Sequence, residues 1–236
     1  MHLKQVTFYR EAFPCLDLYP FNLEIFHRTT HLDFTTPVTF FVGENGTGKS
    51  TLLEAVARKC GIHIWRAPEW TRYEVNPYER EFHRFLSVTW TEGWVPGSFF
   101  AAEIFKHFSQ NLDEWAAADP GMLRYFGGKS LMTQSHGQSL LSFFRSRYRI
   151  KGLYLLDEPE TALSPKSQIE LLALLRDFGR DGKAQFIIAS HSPILLALPE
   201  AVIYSFDQAP IRAVAYEDTD YYRIYKDFMT DRTKYL

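Results

Sequence analysis

The sequence is poor in cysteine. Cys15 and Cys60 are the only two in 236 residues, and their surroundings match neither a metal knuckle nor a disulfide framework. That excludes a disulfide-stapled fold and fits a reducing compartment. No apolar run approaches the roughly 20 residues that a membrane helix needs. The opening Met1-His2-Leu3-Lys4-Gln5-Val6 alternates like a strand and does not resemble a signal peptide, so the expected location is the cytoplasm. Charge of one sign is also missing. A formal net charge of −2 gives no bulk attraction to nucleic acid or anionic lipid, and any such contact would need a local patch. Apolar content is ample: 46% hydrophobic residues over this length suffice for one large α/β folding unit spanning 1–236.

One stretch carries most of the chemistry. Phe40-Phe41-Val42-Gly43-Glu44-Asn45-Gly46-Thr47-Gly48-Lys49-Ser50-Thr51 is an apolar run entering a glycine-rich turn, followed by the helix formers Leu52 to Ala57. Strand, Gly-x4-Gly-Lys-Ser and helix occur in the order a phosphate cradle requires. The glycines let backbone N–H groups turn inward around phosphate oxygens, and the helix directs its positive dipole end at the same anion. Lys49 would neutralise β/γ-phosphate charge and Ser50 would give its hydroxyl to Mg²⁺. A strand-to-helix turn that binds nothing is the alternative. Gly127-Gly128-Lys129-Ser130 lacks the leading glycine, since Leu123 stands there, and reads as a loop.

The rest of the chain supports an α/β arrangement. Leu3–Tyr9, Phe21–Phe26, His31–Phe34 and Val38–Val42 alternate like strands between Pro14, Pro20 and Pro37, suggesting an N-terminal antiparallel β layer. The helix after the P-loop should close near Gly61. Aromatics scattered from Trp65 to Trp94 follow no period and no basic pattern, so packing is favoured for them over base stacking. Ser87–Trp90 and Ser98–Phe100 read as short strands. Residues 103–118 have a helical period, within an inserted helical lobe over about 103–134. A further helix should start near Ser135-His136-Gly137-Gln138-Ser139, with Arg145, Arg147 and Arg149 in its last turns as solvated, dipole-matched cations.

Leu153–Glu158 reads as a buried parallel strand tipped by two acids. Ser164-Pro165 then opens a helix with Ile169, Leu172 and Leu175 as its apolar face and Gly179 as its stop. Gln185–Ala189 is a second such strand and delivers His191. Val202–Phe206 and Ile211–Tyr216 form a hairpin-like pair, followed by a helix over Asp220–Thr230.

Three strand tips therefore converge, and in open α/β sheets that edge binds ligands. Lys49 with Ser50, Asp157 with Glu158, and His191 provide charge neutralisation, a metal and an oriented nucleophile. Asp157 would complete the Mg²⁺ shell with Ser50, Glu158 would orient or deprotonate water, and His191 would touch the γ-phosphate. Taken alone, the two acids are more often a solvated strand end and a lone His is usually a packed or surface residue; beside a full P-loop the functional reading is favoured.

Together the motifs resemble a family. Walker A at Gly43–Ser50, a signature-like Ser135-His136-Gly137-Gln138, Walker B at Leu153–Glu158, a D-loop-like Thr161-Ala162-Leu163-Ser164 and a switch His191 follow the order of ABC-class P-loop ATPases. Asp157 to Pro165 is similar to the soluble RecF, SMC and OLD-related branch, and the chain looks like its small, stand-alone predicted bacterial AAA-family ATPases. The resemblance implies a P-loop NTPase core with a mainly parallel sheet, Mg²⁺-dependent ATP hydrolysis, and a transient homodimer. In it Ser135, Gly137 and Gln138 of one copy would cap the ATP held by Gly43–Thr51 of the other, so that the cycle acts as a switch or motor for a protein or DNA partner. His136 replaces the first glycine usual in the signature, Ser164 stands where Asp is common, and Glu103 is the candidate at the Q-loop position. An ATP-gated DNA-binding or scaffold module with little turnover is the alternative. A transporter ATPase subunit is a third, against which stands Glu160–Pro165.

Overall fold

The computed structural model describes residues 1–64, 76, 78, 80–102, 105, 112, 114–116, 119, 121 and 136–236. The strands are β1 (Leu3–Phe8), β2 (His31–Asp33), β3 (Val38–Val42), β4 (Leu86–Trp90), β5 (Gly97–Ala101), β6 (Gly152–Asp157), β7 (Ala184–Ala189), β8 (Val202–Ser205) and β9 (Arg212–Val214). The helices named below are α1 (Glu24–Arg28), α2 (Lys49–Lys59), α3 (His136–Arg147), α4 (Pro165–Arg180), α5 (Pro193–Leu196) and α6 (Asp220–Thr230). A three-stranded antiparallel sheet, β2-β1-β4, lies beside a six-stranded sheet ordered β5-β6-β7-β3-β8-β9. In the larger sheet only β9 runs antiparallel.

The central strands of that sheet are almost entirely apolar because both faces are covered. Phe41, Leu153, Leu155, Ile187 and Ala189 enter one core with α1, α2 and the antiparallel sheet. Their alternate neighbours Phe40, Tyr154, Leu156, Phe186 and Ile188 enter a second core with α3, α4 and α5. The period of two that decides which face a residue joins is that of the strand itself. Two polar side chains, Thr39 and Gln185, are fully buried in these strands, and Gln185 joins the sheets. Fully buried, its carboxamide oxygen accepts from the backbone N–H of His2 and Leu3 at 2.7 Å each, and its nitrogen donates to Leu3 O at 2.9 Å, tying the two sheets together.

Several expectations are corrected. Phe21–Phe26 is not a strand: its second half enters α1, where the consecutive Ile25 and Phe26 are both buried and Glu24 pairs with Arg28 one turn on at 2.8 Å. Five residues cannot show a 3.6 period, so packing of Phe26 against Phe8 and Phe82 decides the conformation. In α4, Leu171 and Leu175 face the core while Ile169 is exposed. That helix also runs past Gly179, which is buried against Pro37, and the chain turns at Gly182, where φ is +69°. Of the scattered aromatics, Tyr78 and Trp90 pack on the first core. Trp94 is exposed, with its indole N–H donated to Cys60 O at 2.9 Å. Trp65, Trp70 and Tyr73, the Gly127–Ser130 loop and most of the helical lobe over 103–134 lie outside the described residues.

Candidate functional site

Strand register brings the expected residues to one edge. Phe41 and Asp157 both pair with Ala189, so the C-terminal ends of β3, β6 and β7 are level. Adjacent strands sit about 4.8 Å apart, so side chains just past these ends can meet. They do. The loop Gly43–Gly48 follows β3, Asp157 ends β6, and His191 follows β7. Asn45, Gly46, Gly48, Lys49, Ser50, Thr51 and Glu158 line one cleft of about 300 Å³, joined by Tyr19.

Within the loop, Gly48 has φ +97°, and a Cβ there would approach Phe26 to 2.7 Å, so glycine is required on both conformational and spatial grounds. Gly48 is the residue before α2, whose first-turn N–H groups have no intrahelical partner and face the loop. The Lys49 ammonium donates to Gly43 O at 2.6 Å and to Glu44 O at 2.8 Å. Burial lowers its pKa, opposed by Glu158, Asp207 and Asp157. Thr47 Oγ1 donates to Glu44 O at 2.9 Å and Glu44 N donates to Asp207 Oδ1 at 2.8 Å, which fixes the loop against the second residue past β8.

The Ser50 hydroxyl donates to Asp157 Oδ1 at 2.9 Å. Burial, with help from Glu158 and Glu54, pushes the Asp157 carboxyl up to about 7 against the pull of the Ser50 hydrogen bond. A buried carboxylate short of positive charge beside a hydroxyl is a donor set that fits a hard divalent cation such as Mg²⁺. Among the described residues no group of three or more His, Cys, Asp or Glu could hold a metal. An ion at Ser50 and Asp157 would thus draw further oxygens from phosphate and water.

Glu158 adopts the left-handed conformation, φ 44° and ψ 54°, which costs a non-glycine residue on the order of 1–2 kcal/mol. The conformation is held by Glu158 N donating to Ala189 O at 2.9 Å and by the following 3-10 turn, Pro159–Ala162. Its Oε1 lies 3.2 Å from His191 Nε2. That contact is off hydrogen-bond geometry, and Nε2 is buried with no hydrogen-bond partner. His191 is held from two other sides. Its backbone N–H donates to Glu160 Oε1 at 2.6 Å, which also accepts from Ser190 Oγ at 2.9 Å. On the ring, Nδ1 bonds the Tyr221 hydroxyl, which reaches Gly43 O at 3.2 Å.

Gly137 and Gln138, at the start of α3, stand apart from this cleft. They line a cavity of about 560 Å³ with Arg145, Ser164, Lys166 and Glu170. Ser135 and Glu103 lie outside the described residues. Sequence reasoning missed Tyr19, Glu160, Asp207 and Tyr221 as parts of the site. For Asp207 a signal existed, because β8 is another parallel strand ending at the same edge; the hydroxyl contact of Tyr19 with Thr51 and that of Tyr221 with His191 follow no spacing rule.

Comparison with known proteins agrees with this geometry. Residues 132–197 match a family model described as "AAA domain, putative AbiEii toxin, Type IV TA system", and residues 21–58 match one described as "AAA domain". The two segments contain the α3 start with β6 and His191, and the P-loop, respectively. The thiamine import ATP-binding protein ThiQ of Ruegeria sp. (strain TM1040) is 26% identical over 161 residues, 64% of this chain and 69% of that one. Its counterpart in Histophilus somni (strain 129Pt) is 25% identical over 176 residues, covering 70% and 80%. The SMC head domain from Thermotoga maritima superposes with a TM-score of 0.52 at 17% identity, over 91% of this chain and 100% of that one. The chain is therefore related to the ABC-class P-loop ATPases and has the P-loop NTPase fold of the SMC heads. Among the described residues, no helix is long and apolar enough to cross a membrane.

Proposed function

We propose that the protein hydrolyses the β–γ phosphoanhydride of ATP with Mg²⁺, each ATP being enclosed between two copies of the chain. The cycle serves as a switch or motor for a protein or DNA partner in the cytoplasm. The observation that carries the proposal is the meeting of Ser50, Asp157, Glu158 and His191 beside a helix N-terminus at one sheet edge. Backbone N–H groups of Gly46 to Thr51 bind phosphate oxygens, and Lys49 neutralises them by leaving its carbonyl partners on Gly43 and Glu44. Ser50 and Asp157 hold Mg²⁺, which supplies charge neutralisation at the phosphates when bound. Glu158 orients water and accepts its proton, while His191 faces the terminal phosphate. Support for the second copy comes from the distinct cavity that Gly137 and Gln138 line, away from the P-loop of their own chain.

The test is Glu158→Gln. Turnover should fall at least about 100-fold, the size of a lost general base. Light scattering after size exclusion should show dimers accumulating with Mg-ATP. Turnover equal to wild type would overturn the role of Glu158, and a monomer under all conditions would overturn the enclosed ATP.

A further inference from the structure

Tyr221 lies on α6, thirty residues beyond His191, and no motif includes it. Its hydroxyl contacts two groups: Nδ1 of His191 and the carbonyl of Gly43, 3.2 Å away, which also accepts from Lys49 at 2.6 Å. We propose that Tyr221 is a positioning residue for His191, fixing which ring nitrogen carries the proton and tethering the ring to the first residue of the P-loop. The proposal deepens the ATPase reading and rests on it for the consequence, though not for the tautomer.

The proton count decides the arrangement. A tyrosine hydroxyl has one proton to give, and a carbonyl can only accept. Burial, reinforced by nearby carboxylates such as Glu44 and Asp207, pushes the Tyr221 pKa up to about 12, so the hydroxyl keeps that proton. Both contacts are hydrogen bonds only if Tyr221 donates to Gly43 O while His191 Nδ1–H donates to the tyrosine oxygen. In the neutral ring the lone pair then sits on Nε2, the buried atom that faces Glu158 at 3.2 Å without a hydrogen-bond partner. Which nitrogen of a histidine is protonated is set by the bond the other one makes. Held this way, His191 donates from Nε2 to an anion only as imidazolium, so its contact with a terminal phosphate is charge-assisted and not a neutral hydrogen bond. The backbone bond from His191 N to Glu160 fixes the residue, and Tyr221 fixes the ring.

The experiment uses the full chain labelled with ¹⁵N-histidine, in alkaline buffer without nucleotide, with the His191 signals assigned by their loss in His191→Asn. Wild type should show a protonated-type Nδ1 and an unprotonated-type Nε2, and Tyr221→Phe should move the ring toward the opposite tautomer. In turnover assays Tyr221→Phe should lower kcat about fivefold to tenfold, the scale of one lost hydrogen bond, with KM for ATP within about twofold. Tyr225→Phe, an exposed residue on the same helix, should change nothing. A wild-type ring protonated at Nε2, or unchanged tautomer and kcat in Tyr221→Phe, overturns the proposal. If Tyr221→Phe does not fold, the wild-type tautomer still decides. No turnover in wild type would instead overturn the ATPase reading and leave the tautomer to be judged by itself.

Discussion

In the P-loop cleft the polar groups have partners within the chain: Lys49 holds two backbone carbonyls, Ser50 holds Asp157, and Glu44 N holds Asp207. In the cavity between α3 and α4 the polar and charged groups face water. Lys166 and Gln138 are exposed, and Arg145 meets Glu170 at 3.1 Å with both side chains about half exposed, 51% and 41%. The first site is preorganised by burial on rigid strand ends, as chemistry requires. The second has the polarity of solvated surface, which the proposed contact with a second copy would cover. On the proposed function, substitutions should therefore divide: in the cleft they affect chemistry within one chain, and in the cavity chiefly what two chains do together.

The largest effect is expected in the cleft. Lys49→Ala removes the only cation among the described residues lining it, and turnover should fall by about 100-fold or more. The same change leaves Gly43 O with Tyr221 as its remaining partner and Glu44 O without the ammonium, so thermal unfolding should also show a loss of about 1–2 kcal/mol. Turnover within threefold of wild type would remove the cleft from the chemistry.

Gly137→Ala sharpens the contrast from the other side. A Cβ at Gly137 would sit 3.6 Å from Ser167 Oγ and 3.7 Å from Ala162 O, ordinary contact distances. The monomer should keep its stability or gain up to about 0.5 kcal/mol from the better helix former. If this face meets another chain's ATP, as proposed, a methyl group on it should nevertheless cut ATP-dependent dimerisation about tenfold or more. An unimpaired ATP-bound dimer would show that the α3 start does not reach the nucleotide of a second copy.

Much of the cleft was legible in sequence because its residues sit at strand ends, and strand ends are readable. Phe40–Val42, Leu153–Leu156 and Phe186–Ala189 are unbroken apolar runs of doubly covered parallel strands, and Gly43, Asp157 and His191 follow them within two residues. What could not be read is held by tertiary contact. Tyr221, half-buried, reaches His191 and Gly43 from an 11-residue helix whose exposed residues give no hint of that contact. Tyr19 meets Thr51 from a proline-rich stretch of no regular structure. The misplaced strand at Phe21–Phe26 has the same cause: in so short a segment the aromatic cluster around Phe82 outweighs the alternation pattern.

A smaller effect tests the preorganisation itself. With its pKa near 7, the Asp157 carboxyl holds a proton in the folded chain that the unfolded chain releases near 3.8. The folded state binds more protons between those values, so without nucleotide and metal the contribution of Asp157 to stability declines as pH rises from about 4 to 7. Asp157→Asn should lose that slope and, above pH 7, be more stable than wild type by about 2–4 kcal/mol in denaturant titrations, while failing to turn over ATP. Parallel stability–pH curves for the two proteins would show that Asp157 is not under electrostatic strain, and the argument for a divalent cation at Ser50 and Asp157 would lose its physical basis.

The smallest effect belongs to the Arg145–Glu170 pair. Exposed pairs of this kind contribute about 0–1 kcal/mol, so Arg145→Ala should leave monomer stability within about 0.5 kcal/mol of wild type. Its guanidinium faces the same cavity as Gly137 and Lys166. If that cavity receives the nucleotide of a second copy, the loss of one cation should weaken the ATP-bound dimer about threefold to tenfold at low ionic strength, and the difference should shrink as salt is added. The same variant in the nucleotide-free monomer should show no salt dependence beyond wild type. A stability loss above about 1 kcal/mol without nucleotide would mean that the pair supports the α3–α4 packing of its own chain, and the separation between the two sites drawn from burial would fail at its weakest contact.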